Sequence, residues 1–348
     1  MLNRKEGEAM ELSERKKKIL ASVIERYIQT GEPVGSKVLC EGLSVSSATI
    51  RNEMSELSEF GYLEQPHTSA GRIPSQKGIR FYVNYLMPIY ETSDSELFTV
   101  HNFFDSFGGE PDDILRDATK LLSEQTGCAV AALTPYDINA FIRRVELVPL
   151  GSKSALVVIL MSTGVVKSRI CRCSEEIDYN TAELFYNVAG AHFVGRTYEE
   201  LTVAKLQTIV ASLGGKALQM IPLLIVLADL ANEASQLNVI IEGQSKLFSF
   251  RELESDVYRI FEHFKHTSFL SEIIHGGKDE LNVLIGRESM NRAFENVSII
   301  SHKYSVSGKD VGSIAVLGPL RMDYSRIISN LKNVTQSVSR VLTELTEE

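Results

Sequence analysis

Apolar positions recur at helical spacing through the first sixty residues. Ile19, Leu20, Val23, Ile24, Tyr27 and Ile28 line one side of a helix predicted over 16–30, with Ser13 ahead of it and Gly31 as its stop. Val38 and Leu39 point inward from a short helix at 37–41 that Ser36 caps. After a turn at 42–45, a third helix has Ser46 as N-cap, Ile50, Met54 and Leu57 as its buried stripe and Gly61 as its end. Two helices around a glycine-containing turn spell a helix-turn-helix, and the pattern alone fits a generic three-helix bundle equally well. The next stretch tips the balance toward the former. Residues 62–65 read as a short strand, 66–71 as a run of turn formers and 72–73 as the return, which together make a wing. Pro74 and Ser75 open a helix over 76–86 that packs back through Ile79, Phe81, Tyr82 and Leu86.

The pattern then changes. Residues 87–96, with Pro88 and a Thr-Ser-Asp-Ser cluster, read as a linker. Helices are expected over 95–107 and 111–126, then a buried strand over 128–133. A β meander comes after it, with strands at 141–148, 155–161 and 165–173. Three helices come next, at 180–192, 197–213 and 216–234. The last is apolar nearly all round, which suits a helix buried in an interface, and makes Met220, Leu223, Leu224 and Leu227 candidate dimerisation residues. Strand signals return at 239–241, 281–285, 297–304 and 312–317, with helical patterns at 250–264 and 267–274. Asp323 caps a long final helix whose stripe is Ile327, Ile328, Leu331, Val334, Val338, Val341 and Leu345.

The third helix carries chemistry on the side away from its stripe. Ala48, Asn52 and Ser55 lie there, flanked by Thr49 and Arg51. Small residues let a helix approach closely, and Arg and Asn pair with purine edges in a DNA major groove. Between 66 and 87 the cations Arg72, Lys77 and Arg80 stand among hydroxyls with no acid, the composition that phosphate contacts need. A net charge of −9 over 348 residues looks wrong for a DNA binder. Residues 1–90, however, hold 12 Lys and Arg against 11 Asp and Glu, so the acid excess lies in the remainder. Electrostatic affinity depends on where the cations face rather than on the total.

Four cysteines without a pairing framework point to a reducing compartment. The polar stretch 1–10 is not a secretory start, and the longest apolar run, 220–228, is far shorter than the ~18 residues of a spanning helix. The expectation is a cytoplasmic protein without a membrane segment, whose folded part begins near Met10. Cys171 and Cys173 share a strand face and read as core residues, since a structural zinc site usually needs two close pairs. His263 and His266 read as a solvated helix face. Residues 190–197 mimic a phosphate loop but lack its lysine. With no nucleophile elbow, dinucleotide fingerprint or paired carboxylates, neither an enzyme nor a cofactor is expected.

Two long motifs, ATIRNEMSELSEFGYL at 48–63 and HTSAGRIPSQKGIRFYV at 67–83, together with GSIAVLGPLRMDY at 312–324, resemble the bacterial heat-inducible transcription repressor HrcA family. The resemblance implies an α+β multidomain chain. After a flexible N-terminus at 1–12 come a winged helix-turn-helix at 13–87, a linker at 88–96 and a GAF-like α+β domain at 97–137 and 239–348. An inserted α+β dimerisation domain would occupy 138–238. It further implies a homodimer that binds double-stranded DNA at an inverted-repeat operator, the CIRCE element, upstream of chaperone operons, with activity modulated by the GroE chaperonin. The alternative is a regulator gated by a small molecule in the GAF-like domain. The DNA-contact set is then Ser47, Thr49, Arg51, Asn52, Ser55, His67, Thr68, Ser69, Arg72, Lys77 and Arg80, with Arg51 and Asn52 on base edges. Two departures from the family pattern, Ser47 where proline is frequent and Ile79 where tyrosine is expected, remove neither a cation nor the Arg51–Asn52 pair.

Overall fold

The computed structural model describes residues 12–43, 45–67, 70–105, 111–135, 139–275, 277 and 279–347. Helix α1 (Glu14–Thr30) begins where Ser13 accepts from Lys16 N. Helices α2 (Ser36–Leu43) and α3 (Ser47–Glu59) pack on it, and Ser46 caps α3 by accepting from Thr49 N at 3.2 Å. Ile19, Leu20, Val23 and Ile24 share one buried core with Ile50, Met54 and Leu57. Each such side chain contributes about 1.5–3 kcal/mol on burial, so the stripe fixes which face of α3 is left for solvent. Leu12 is buried in the same core, so the expected flexible segment ends before it; residues 1–11 lie outside the described ones.

The wing consists of β1 (Leu63–Glu64) and β2 (Ile73–Pro74), paired antiparallel. Its root is tied to the helix-turn-helix by Val34 N to Arg72 O at 2.8 Å and Arg72 N to Val34 O at 2.9 Å. Helix α4 (Gln76–Phe81) then runs on as a π-helical turn to Leu86. The expected linker is shorter than the sequence suggests, because α5 (Asp94–Asp105) starts inside it. Ser93 and Glu96 form the reason: Glu96 accepts from Ser93 N at 3.0 Å and Ser93 Oγ accepts from Glu96 N at 3.4 Å, a capping box. Ser325 Oγ donates to Pro88 O at 2.6 Å and Asn333 Nδ2 to Thr92 Oγ1 at 2.9 Å, so the connection is laid along a later helix.

Helix α6 (Pro111–Thr126) leads into β3 (Ala129–Leu133). The meander forms a sheet of its own from β4 (Ile142–Gly151), β5 (Ser154–Met161) and β6 (Val166–Arg172), in that order. Helices α7 (Tyr179–His192), α8 (Val203–Ser212) and α9 (Ala217–Ala234) share its core. The helix expected over 197–213 is broken near Leu201, because Thr202 recaps the chain by accepting from Lys205 N at 3.3 Å. Cys171 and Cys173 are buried in this core, and burial, followed by the neighbouring Cys173, pushes the Cys171 thiol up to about 12. Such a thiol is unreactive at neutral pH. Helix α9, within 214–234, is long and apolar enough to cross a bilayer by length and composition. Here it lies on β5 and β6 with Met220, Leu223, Leu224, Leu227 and Leu230 buried.

The remaining elements are β7 (Val239–Glu242), α10 (Val257–Phe264), α11 (Thr267–His275), β8 (Leu281–Ile285), β9 (Val297–Val306), β10 (Lys309–Pro319) and α12 (Tyr324–Glu347). The expected helix 250–264 is replaced at its start by short 3-10 turns, and α10 begins only at Val257. A five-stranded antiparallel sheet has the order β7-β3-β10-β9-β8. The chain leaves it at Leu133 and returns beside that residue at Val239. Thr134 N to Asn238 O at 2.9 Å and Asn238 N to Thr134 Oγ1 at 3.0 Å close the neck. Alternation divides the sheet's two faces. Val130, Ala132, Ile300, Ile314 and Val316 meet the core of α5, α6 and α12, whereas Ala129, Ala131, Leu133, Ile299 and Leu317 meet α10 and α11. The first of these cores runs without a break into the winged helix.

His302 on β9 is buried, with Nδ1 2.9 Å from Lys303 O and 2.8 Å from Thr335 Oγ1. Burial holds its pKa below the ordinary value, against an opposing pull from Glu280. The unfolded chain therefore binds this proton more readily. Stability from this group is full above the ordinary imidazole pKa of about 6.5, falls as pH drops through it, and levels off below the depressed folded value. Denaturant midpoints between pH 8 and 5 should drop more for the wild type than for His302→Asn. Parallel curves would refute the assignment.

Candidate nucleic-acid interface

The exposed side of α3 presents Arg51, Asn52 and Ser55. Among the described residues, Arg51 and Asn52 make no ion pair and no side-chain hydrogen bond. The helix carries three acids, and two of them, Glu53 and Glu56, face α1. Glu53 lies 2.9 Å from Lys16 and 3.7 Å from Arg15, and Glu56 lies 2.9 Å from Lys16. Hydrogen bonds to Glu53 and then Glu56 hold the Lys16 ammonium above its ordinary pKa. These pairs join a half-buried Lys16 to a half-buried Glu53 and to an exposed Glu56. Their effect is to keep two carboxylates off the face where DNA phosphates would lie.

Between α3 and the wing lies a groove of about 520 Å³, lined by Val34–Ser36, Arg51, Asn52, Met54, Ser55, Gln65 and 70–72. It contains two arginines and no carboxylate. Arg72 is placed by its backbone pair with Val34, and its Nε is buried without a hydrogen-bond partner among the described residues. A buried donor left unpaired costs about 1–3 kcal/mol, which an incoming anionic oxygen would recover.

The predicted contacts separate on this geometry. Arg51, Asn52, Ser55 and Arg72 come together in the groove. Thr49 sits at the α3 N-terminus with Oγ1 2.9 Å from Ser46 Oγ, and His67 is exposed on the wing. Thr68 and Ser69 lie outside the described residues. Ser47 is half-buried and joins α3 to α2, its Oγ 2.9 Å from Ser36 Oγ. Lys77 is turned beneath the wing, donating to Phe60 O at 3.0 Å and standing 4.4 Å over the Tyr62 ring. Arg80 leaves the set altogether: it pairs with Glu288 and donates to Val283 O at 2.6 Å, so it faces the five-stranded sheet. Ser36 and Gln65 line the groove although the sequence does not mark either as a contact. The only signal for Gln65 is its place directly before the turn of the wing.

The candidate dimerisation residues need a similar correction. Met220, Leu223, Leu224 and Leu227 are buried in their own subunit, against the three-stranded sheet. Leu218 and Ile225, on the other side of α9, are exposed. His263 also differs from expectation: it is half-buried among Phe269 and Phe294, with Nε2 3.1 Å from Asn291 Nδ2. Among the described residues no cluster of His, Cys, Asp and Glu is arranged to hold a metal ion.

Comparison with known families places both halves together. Residues 11–81 match the winged helix-turn-helix transcription repressor, HrcA DNA-binding family, and residues 112–328 match the HrcA protein C terminal domain. The chain belongs to the HrcA family. It is 32% identical over 340 residues to the heat-inducible transcription repressor HrcA of Thermoanaerobacter pseudethanolicus, covering 97% of this chain and 98% of that one. With the Moorella thermoacetica repressor the figures are 35% over 358 residues, 97% and 99%. A crystal structure described as a hypothetical protein at 2.2 Å resolution superposes with a TM-score of 0.69 at 27% identity, over 97% of this chain and 99% of that one. As an HrcA-family member the protein is a transcription repressor, not an enzyme, and its winged helix is the DNA-binding part. In this HrcA-family chain the third motif is a joint. Tyr324 Oη lies 2.6 Å from Ser298 Oγ and donates to Leu320 O at 2.7 Å, while Arg321 pairs with Glu252 and lies against Gly31 at the end of α1.

Proposed function

We propose that the protein acts in the cytoplasm as a homodimer that represses chaperone operons by binding an inverted-repeat CIRCE operator, with the GroE chaperonin raising its active fraction. The acid-free groove that gathers Arg51, Asn52, Ser55 and Arg72 carries this reading. α3 enters the major groove, Arg51 and Asn52 meet base edges, and Arg72 with the wing meets the backbone. A dimer presents two such heads, so the operator repeats as an inverted pair. The subunit contact is assigned to the exposed side of the inserted unit, where Leu218 and Ile225 stand. The same exposed apolar surface offers the chaperonin a handle.

An electrophoretic shift series at several salt concentrations tests this. A folded sample supplied with chaperonin should bind the inverted repeat at least ~10³-fold more tightly than scrambled duplex. Equal affinity for the two would end the reading. Arg72→Ala should weaken binding to both sequences alike and lower the salt slope by about one. A loss confined to the operator would move Arg72 from the backbone to a base.

A further inference from the structure

We infer that Gln76 and Arg80 are positioning residues, which fix the angle of the DNA-reading head on the body and so select the spacing between operator half-sites. This rests on the inverted-repeat reading above. Both residues lie on α4, directly behind the wing, and both reach across to the edge of the five-stranded sheet. The Gln76 side-chain amide is held at both ends by backbone: Nε2 donates to Glu295 O at 2.8 Å and Oε1 accepts from Arg287 N at 3.0 Å. Gly286, at a φ of 56°, makes room for it, since a Cβ there would overlap the Gln76 amide. Arg80 grips the same segment with Nε 2.9 Å from Glu288 Oε1, a second bond to Glu288 Oε2 and a third to Val283 O. Glu288 is itself oriented by Ile285 N at 2.8 Å.

These contacts differ in kind from the apolar packing around them. Apolar surfaces slide and re-pack, whereas a two-ended amide and a forked guanidinium accept one geometry. They therefore set direction, not merely proximity. Neither residue lines the groove that holds Arg51 and Arg72. In a dimer, the head angle determines how far apart and at what twist two recognition helices stand. Each added base pair moves a half-site by about 3.4 Å and turns it by about 35°. A head held at one angle tolerates few such steps, and a loosened head tolerates more. Loosening also lowers the gain from simultaneous engagement, which is up to about 10²–10⁴-fold.

The test uses the full chain and a set of inverted repeats whose spacer is lengthened or shortened by one to four base pairs, together with a single half-site. The wild type should show one spacing optimum and lose roughly 10²-fold two base pairs away from it. Gln76→Ala with Arg80→Ala should flatten that loss to under about tenfold, while affinity for the single half-site stays within about twofold. Arg80→Glu combined with Glu288→Arg should recover part of the optimum that either change alone removes. If the wild type has no spacing optimum, the inverted-repeat reading fails and the positioning role with it. If the wild type has a sharp optimum and the double-alanine variant keeps it, only the positioning role fails. A parallel fall in half-site affinity would also overturn it, because the residues would then hold the head together rather than aim it. A swap as flat as its single changes would overturn the Arg80–Glu288 pairing.

Discussion

Arg51→Ala is expected to cost about 1–3 kcal/mol of operator binding and to blur discrimination at one base pair. The size reflects how the side chain is held. α3 is fixed by the complete burial of Ile50 and Leu57, so its exposed face arrives at DNA already oriented. Arg51 has no intramolecular partner to give up among the described residues, and its planar fork matches the O6 and N7 acceptors of guanine. The glutamates that would compete for it, Glu53 and Glu56, are engaged by Lys16 on α1. Binding isotherms on operators changed at one base pair at a time provide the measurement. Wild type and variant should rank those operators differently at a single position. Identical ranking would show that Arg51 contacts the backbone.

The second large effect is structural. Gly78→Ala should lower the stability of the winged helix by about 3 kcal/mol, the upper range for overpacking a closed site. The added Cβ would overlap the Tyr62 carbonyl oxygen, a backbone atom at the entry to the wing. That carbonyl also accepts from Ser75 N at 3.0 Å, and Ser75 Oγ donates to Gly61 O at 2.6 Å. Relief requires α4 to move away from the wing, which breaks this set and shifts Gln65 and Arg72. The denaturant midpoint should fall, and operator binding should weaken even under conditions where the variant is folded. An unchanged midpoint would mean that the backbone yields without strain.

Much of the reading head is legible in the chain because single signals decide it. The stripe Ile50, Met54, Leu57 fixes both the helix and its free face, and the turn formers after Gln65 fix the wing. Arg80 is not legible in the same way. An arginine on the polar side of a helix looks alike whether it meets a phosphate or a glutamate two hundred residues away, and only the fold brings Glu288 to it. The same ambiguity applies to Met220, Leu223, Leu224 and Leu227, since burial against the chain's own sheet and burial against a second subunit require the same apolar pattern. Ser93 and Glu96 are a different case. Their spacing is that of a capping box, but it lies in a stretch whose Pro88 and small polar residues suggest a linker. The pairing of β3 with β7 joins segments a hundred residues apart and leaves no local trace in either.

That pairing has a consequence for how the molecule is built. Leu133 and Val239 are cross-strand neighbours, as the two ends of a hairpin turn are, so the body is indifferent to how much chain hangs between them. The inserted unit is a pendant on this neck: it supplies no strand to the sheet that carries the reading head, and Lys167 on β6, 2.9 Å from Asp112 on α6, is a second point at which it touches the body.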